Sequence, residues 1–210
     1  DARKAGQRMK AFLILEDGTV FEGIHIGAEK EIISEIVFNT SMAGYLEVLT
    51  DPSYAGQAVC MTYPLIGNYG VCREDCESRR PWPDGFIVRE LSRMPSNFRS
   101  DCTIQEYLEI HGVPGIAGID TRALTKILRE KGTMNGMITT NADYCLEKIL
   151  PRLAEYTTGK VVEKVTCEAK YEIRGVKDLA DNGPISRSAV FNKEEFHSGK
   201  KENQRCRVKE

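Results

Sequence analysis

The chain has 210 residues, with 29 basic against 31 acidic side chains and a net charge of −2. So even a balance gives no bulk electrostatic attraction to nucleic acid or an anionic membrane. No apolar run approaches the roughly 20 residues that cross a bilayer, and the seven scattered cysteines read as free thiols rather than a disulfide framework. The expectation is one sizeable domain in the cytoplasm, with no nucleic-acid partner and no membrane partner. Residues 1–8 are polar and basic without an apolar core. They read as a leader ahead of a native start at Met9, not as an export signal.

In chain order, residues 11–15 form an apolar run, and Asp17-Gly18 is a hairpin signal that turns it into a returning strand over 20–26. The β-branched stretch 32–38 predicts another strand. Residues 58–62 predict a buried strand, and 86–88 a short one after a Pro-rich loop. Thr103 with Glu106 is a capping box for a helix that ends near Gly112. Asp120 is a good N-cap for a second helix, with Leu124, Ile127 and Leu128 as its core stripe and Gly132 just past its end. Asn135-Gly136 predicts a turn into a strand over 137–139, and Asn141 or Asp143 a cap for a third helix reaching about Ala154. Beyond Tyr156 the pattern weakens, with short strands expected at 161–165 and 171–173. From residue 183 charged side chains crowd the chain with few apolar ones between them. Such a tail buries too little to offset its ordering entropy and is expected to be loosely held.

Few residues offer chemistry on their own. Gly70-Val-Cys72-Arg-Glu74 lacks the second glycine of a nucleophile elbow, which argues against a catalytic Cys72. Cys72 and Cys76 lie four apart, but a structural zinc site wants a second close pair of ligands, and His25 and His111 are isolated. No catalytic residue and no metal ligand is therefore assigned. Neither a phosphate loop nor a dinucleotide fingerprint is present, so no cofactor is expected in this chain. Asp51-Pro-Ser-Tyr54 is a turn by chemistry: Pro52 fixes φ and Asp51 accepts a local backbone hydrogen bond. Asn39-Thr-Ser-Met-Ala-Gly-Tyr45 reads as a strand-to-helix junction capped at Thr40 or Ser41.

Three runs carry a resemblance: 38–54, which holds both of the last motifs, Met61-Thr-Tyr-Pro-Leu-Ile-Gly-Asn-Tyr-Gly70, and 118–132. They resemble the N-terminal domain of the small subunit of glutamine-dependent carbamoyl-phosphate synthase, well over 9–140 and weakly to about 173. The resemblance implies a three-layer β/β/α domain of the α/β class over 9–155, with 156–182 as linker or domain edge and 183–210 as the atypical tail. In the family a glutamine-hydrolysing domain with a catalytic cysteine and a distant histidine follows. Here that domain is expected to be missing, so the chain alone should lack glutaminase activity.

The resemblance further implies a partner, the large synthetase subunit, which holds ATP and a divalent metal. It also implies a small-molecule ligand, L-glutamine, contacted by Ser53 from across the domain boundary. A hydroxyl that donates and accepts suits an amino acid. The complex makes carbamoyl phosphate from glutamine, bicarbonate and ATP for arginine and pyrimidine biosynthesis. The alternative is an assembly or binding module with no part in glutamine use.

Overall fold

The computed structural model describes residues 9–167. The leader, the strand expected at 171–173, the tail and the later part of the linker lie outside the described residues.

Nine strands form among the described residues. Lys10–Leu15 (β1) and Val20–Gly27 (β2) make the expected hairpin, and Ile32–Asn39 (β3) and Gln57–Met61 (β4) follow. Leu65–Ile66 (β5), Gly85–Val88 (β6), Glu90–Leu91 (β7), Pro114–Ala117 (β8) and Met134–Thr139 (β9) complete the set. Seven of them close into a barrel in the order β1-β2-β8-β6-β4-β3-β9. One half is parallel: β3, β4, β6 and β8 run side by side in one direction. In the other half β1 pairs antiparallel with β2 and β9. β5 and β7 pair apart from the barrel. The mixed α/β class expected from sequence stands, with the strands closed into a ring.

Alternation along the strands sorts the apolar side chains into three clusters. Ala11, Leu13 and Leu15 meet Ile36, Ala58, Cys60, Ile87, Ile116 and Ile138. Contributions from strands all round the ring make this the barrel interior. The intervening residues Phe12 and Ile14 face outward, onto Ile149 and Leu153. Those belong to Leu146–Glu155 (α4). The third cluster lies outside the parallel half, under Tyr45–Thr50 (α1) and Ile104–Ile110 (α2), around Val59, Met61, Phe86 and Val88.

The helix Thr121–Lys131 (α3) behaves as its sequence pattern requires. Asp120 Oδ1 accepts from the backbone N–H groups of Arg122 and Ala123, and the Gly132 N–H closes on Leu128 O. Leu124 and Leu128 enter the barrel interior with Ile127 half-buried beside them. Lys131 Nζ bonds Asp17 Oδ2 at 2.8 Å, tying the helix end to the first hairpin. In α2 both legs of the Thr103–Glu106 capping box form.

Four local expectations are corrected. Residues 161–165 are a helix, Val161–Val165 (α5), not a strand. Asn135-Gly136 lies inside β9, because Asn135 pairs with Glu35 and Gly136 with Ser34. The cap of α4 is Cys145, while Asn141 instead accepts from the Asp143 N–H at 2.9 Å. The cap of α1 is neither Thr40 nor Ser41 but Gly44, at φ 80° and ψ 28°, a left-handed conformation that glycine adopts without cost.

Candidate functional site

The Asp51-Pro-Ser-Tyr54 run folds as sequence chemistry dictates. Pro52 opens a single 3₁₀ turn over Pro52–Tyr54, and Asp51 caps it by accepting from the Ser53 N–H at 2.8 Å. The Ser53 hydroxyl also donates to Asp51 Oδ1. Ser53 is exposed, whereas Tyr54 is half-buried against the outer cluster and its Oη accepts from Asn39 Nδ2 at 3.0 Å. The serine is thus fixed from both sides on a surface turn. Its single proton is engaged by Asp51, so the oxygen presents lone pairs outward, as an acceptor.

Gly56, three residues on, stands just before β4. A Cβ built there would touch Thr158 Cβ at 3.5 Å and Val161 Cγ2 at 3.7 Å. The segment at 158–161 therefore lies against Gly56, three residues on from Ser53. Ser34 Oγ bonds the Gly56 carbonyl at 2.9 Å and holds this strand end in place. At the neighbouring start of β6, Asp84 is raised by burial against the pull of Lys164 on α5.

The runs 38–54 and 61–70 interlock at the other end of β4. Tyr45 is fully buried and donates from Oη to the Gly70 carbonyl at 2.7 Å. Burial pushes the Tyr45 and Tyr69 phenols up, so both stay protonated. These groups position loops; nothing in them acts as an acid or base at neutral pH.

Two of the thiols, Cys60 and Cys76, are poorly placed for nucleophilic work. Cys60 lies in the barrel interior and burial pushes its thiol up to about 12. Cys76 is likewise pushed up to about 12, first by burial and then by nearby Asp75. Its Sγ reaches the Cys72 carbonyl at 3.8 Å, so the four-residue spacing does bring these two residues together. A nucleophile must be a thiolate, and these environments oppose one. Among the described residues no group of three or more His, Cys, Asp or Glu could hold a metal ion. His25 Nε2 pairs with the Ala28 carbonyl at 2.9 Å, and His111 packs on Tyr107 with centroids 4.5 Å apart. No helix among the described residues is long and apolar enough to cross a membrane.

One feature has no counterpart in the sequence motifs. An open cleft of about 1020 Å³ lies at the C-terminal ends of β6 and β8, lined by His25, Arg89, Arg93, Gln105, Glu106 and Asp120 among others. These residues come from separate elements, joined only when β2 pairs with β8. No local pattern announces that convergence.

A family model described as the carbamoyl-phosphate synthase small chain, CPSase domain, matches residues 13–138. The carbamoyl phosphate synthase small chain of Clostridium perfringens (strain 13 / Type A) is 54% identical over 167 residues, 80% of this chain and 48% of that protein. That of Caldanaerobacter subterraneus subsp. tengcongensis is 48% identical over 168 residues, again 80% of this chain and 45% of that protein. The Nitratidesulfovibrio vulgaris (strain Miyazaki F) small chain is 58% identical over 135 residues, 64% of this chain and 36% of that protein. The chain spans about half the length of the first two relatives. It belongs to the carbamoyl-phosphate synthase small-chain family.

Proposed function

We propose that the chain works as the N-terminal half of a glutamine-using carbamoyl-phosphate synthase small subunit, supporting glutamine binding and assembly with a large synthetase subunit. The observation that carries this reading is the Ser53 turn: exposed, fixed by Asp51 and Pro52, and followed by Gly56, against which Thr158 packs. In this reading the serine oxygen meets a glutamine held by an amidotransferase domain that follows this segment. Because Oγ gives its proton to Asp51, the partner it suits is a donor, such as the ammonium group of an amino acid.

In this reading the chain carries no nucleophile. Glutamine is hydrolysed by the amidotransferase half of the subunit, and the ammonia passes to the large subunit. There it joins bicarbonate at the expense of ATP, with the divalent metal held by the large subunit. The product, carbamoyl phosphate, feeds arginine and pyrimidine biosynthesis in the cytoplasm. The β/β/α layering is part of the same reading: the antiparallel half, the parallel half and the α1–α2 layer would be its three layers.

Ser53→Ala tests the reading in a full-length small subunit paired with its large subunit. Glutamine-dependent synthesis should weaken by a few-fold in apparent affinity, as for one neutral hydrogen bond of about 0.5–1.5 kcal/mol. Ammonia-dependent synthesis should be unchanged. Equal loss of both would make Ser53 structural. No loss of either would favour an assembly module with no role in glutamine use.

A further inference from the structure

Two parallel neighbours, β6 and β8, end side by side, with Val88 paired to Ala117. The chain leaves them in opposite directions. After β6 it runs outward to α2, whose Ile104, Tyr107 and Leu108 pack in the cluster outside the barrel. After β8 it turns inward to α3, whose Leu124 and Leu128 join the barrel interior. Gly118 makes that turn at φ 86°, and its N–H bonds the Arg89 carbonyl at 2.8 Å, tying the two strand ends together. Where neighbouring parallel strands send their connections to opposite faces, a crevice opens beyond their carboxyl ends, and small molecules bind in such crevices. The cleft of about 1020 Å³ stands at this point, and Ile24, Ile26, Leu91 and Ile119 supply its apolar lining.

Most polar side chains of the lining are already engaged by the fold. Asp120 caps α3, and Glu106 Oε2 accepts from the Thr103 N–H at 2.9 Å in the capping box. Gln105 Oε1 accepts from the Gly27 N–H at 3.1 Å, and its Nε2 donates to Glu109 at 2.6 Å. His25 Nε2 is held by the Ala28 carbonyl, and Ser92 Oγ donates to the Met94 carbonyl at 3.2 Å. Arg89, Glu90 and Arg93 remain. All three are exposed, and none of their charged groups makes a hydrogen bond or ion pair with a described residue. By formal charge the lining sets two arginines against three carboxylates. The carboxylates of Glu106 and Asp120, however, rest on backbone N–H groups at helix starts, where a helix end carries roughly half a positive charge. The balance left over is two guanidinia against Glu90, a net cation.

A guanidinium is a planar fork that matches the oxygens of a carboxylate or phosphate two at a time. Two such forks lining one cleft with apolar side chains suit an anion carried on an apolar body. We propose that this cleft is a second small-molecule site, which takes an organic oxyanion, a carboxylate or a phosphate monoester, with its charged group on Arg89 and Arg93 and its apolar body against Ile24 and Leu91. The site stands apart from Ser53. That turn precedes β4, which runs parallel to β6, so it lies at the N-terminal end of these strands, whereas the cleft opens at their C-terminal end. Occupancy of the cleft is therefore independent of the glutamine reading.

The test is a titration of the isotope-labelled 210-residue chain with phenyl phosphate, benzoate and inorganic phosphate at constant ionic strength, followed by NMR at the arginine side-chain N–H resonances. Phenyl phosphate or benzoate should move the Arg89 and Arg93 resonances saturably, and should bind more tightly than inorganic phosphate. Arg89→Gln and Arg93→Gln should each weaken that binding by about tenfold, the scale of one charged hydrogen bond. Arg129→Gln, exposed on α3 and outside the lining, should bind as the parent chain does. Arg89 and Arg93 are exposed, so the melting temperatures should match. Tighter binding of phenyl phosphate identifies a phosphate ester as the ligand, and tighter binding of benzoate a carboxylate; either sustains the site. The proposal is overturned if none of the three anions binds saturably, or if both arginine variants bind as tightly as the parent. It is overturned equally if inorganic phosphate binds as well as the organic anions, because the arginines are then only a surface charge pair.

Discussion

Tyr45 and Tyr69 stack with ring centroids 4.1 Å apart and planes 19° from parallel, and each hydroxyl binds the other's neighbourhood. Tyr45 Oη accepts from the Tyr69 N–H at 3.3 Å, while Tyr69 Oη accepts from the Gly44 N–H at 2.9 Å. The pair joins the two most distinctive runs of the sequence into one unit. Gly44, in its left-handed conformation, gives its N–H to the phenol as α1 begins.

Tyr45→Phe should therefore destabilise without creating a cavity. The buried Gly70 carbonyl and Tyr69 N–H lose their partner, at a cost of about 1–3 kcal/mol. Urea unfolding should show a lower midpoint with an unchanged slope. A midpoint equal to the parent's would mean that solvent reaches these groups.

Leu128→Ala should cost roughly 2–5 kcal/mol, because the side chain is buried in the barrel interior and neighbouring strands cannot collapse onto the gap. Ile127→Ala, at a half-buried position beside it, should cost less. Denaturant midpoints for the two variants, compared directly, check this ordering.

Much of this fold was legible because its signals are local. Thr103 with Glu106, and Asp120 with the Leu124–Leu128 stripe, each act within one turn of helix, so sequence spacing suffices. β8 was missed because it opens at Pro114 and contains Gly115, two poor strand formers, and is specified by its partners β2 and β6. The 161–165 segment reversed its β-branched propensity for the same kind of reason: a helix there packs Val161 against Gly56. Barrel closure pairs β1 with β9, more than a hundred residues apart, and no short pattern encodes that. At the candidate site the Asp51–Ser53 turn could be read from two residues. The packing of Thr158 against Gly56, three residues on, could not.

His111 is held well below its ordinary range, at about 4, first by burial and then by the nearby Arg80 charge. Its Nε2 is buried without a hydrogen-bond partner. The folded state thus binds the proton less readily than the unfolded chain. Stability should be full above about pH 6.5, the unfolded value, and fall as pH drops toward 4, by up to about 1.4 kcal/mol per pH unit at its steepest. His111→Gln should flatten this part of the profile in unfolding curves taken between pH 7 and 4.5.

The chain alone should not hydrolyse glutamine. Cys60 and Cys76 are held as thiols with values near 12, and neither is engaged by a histidine in the bonds they make. A thiol reagent added to the native chain at pH 8 should leave Cys60 unmodified until denaturant is added. Ammonia release that disappears on Cys60→Ser or Cys76→Ser would contradict both points.

Asp51 is expected to act on glutamine use only through Ser53. Its carboxylate holds both the backbone N–H and the hydroxyl of that serine, so Asp51→Ala releases the turn's two anchors at once. Loss of a capping side chain costs about 0.5–2 kcal/mol of stability. In a full-length small subunit the freed serine should sample several rotamers, and apparent glutamine affinity should fall a few-fold while ammonia-dependent synthesis holds. The decisive measurement is the double-mutant cycle. If Asp51 only positions Ser53, the pair Asp51→Ala/Ser53→Ala should lose no more glutamine affinity than the worse single variant, giving a coupling energy about equal to the smaller effect. Additive losses would mean that Asp51 meets the amino acid itself. An unchanged affinity in Asp51→Ala, alongside a loss in Ser53→Ala, would mean that Pro52 and the Tyr54–Asn39 bond suffice to hold the serine in place.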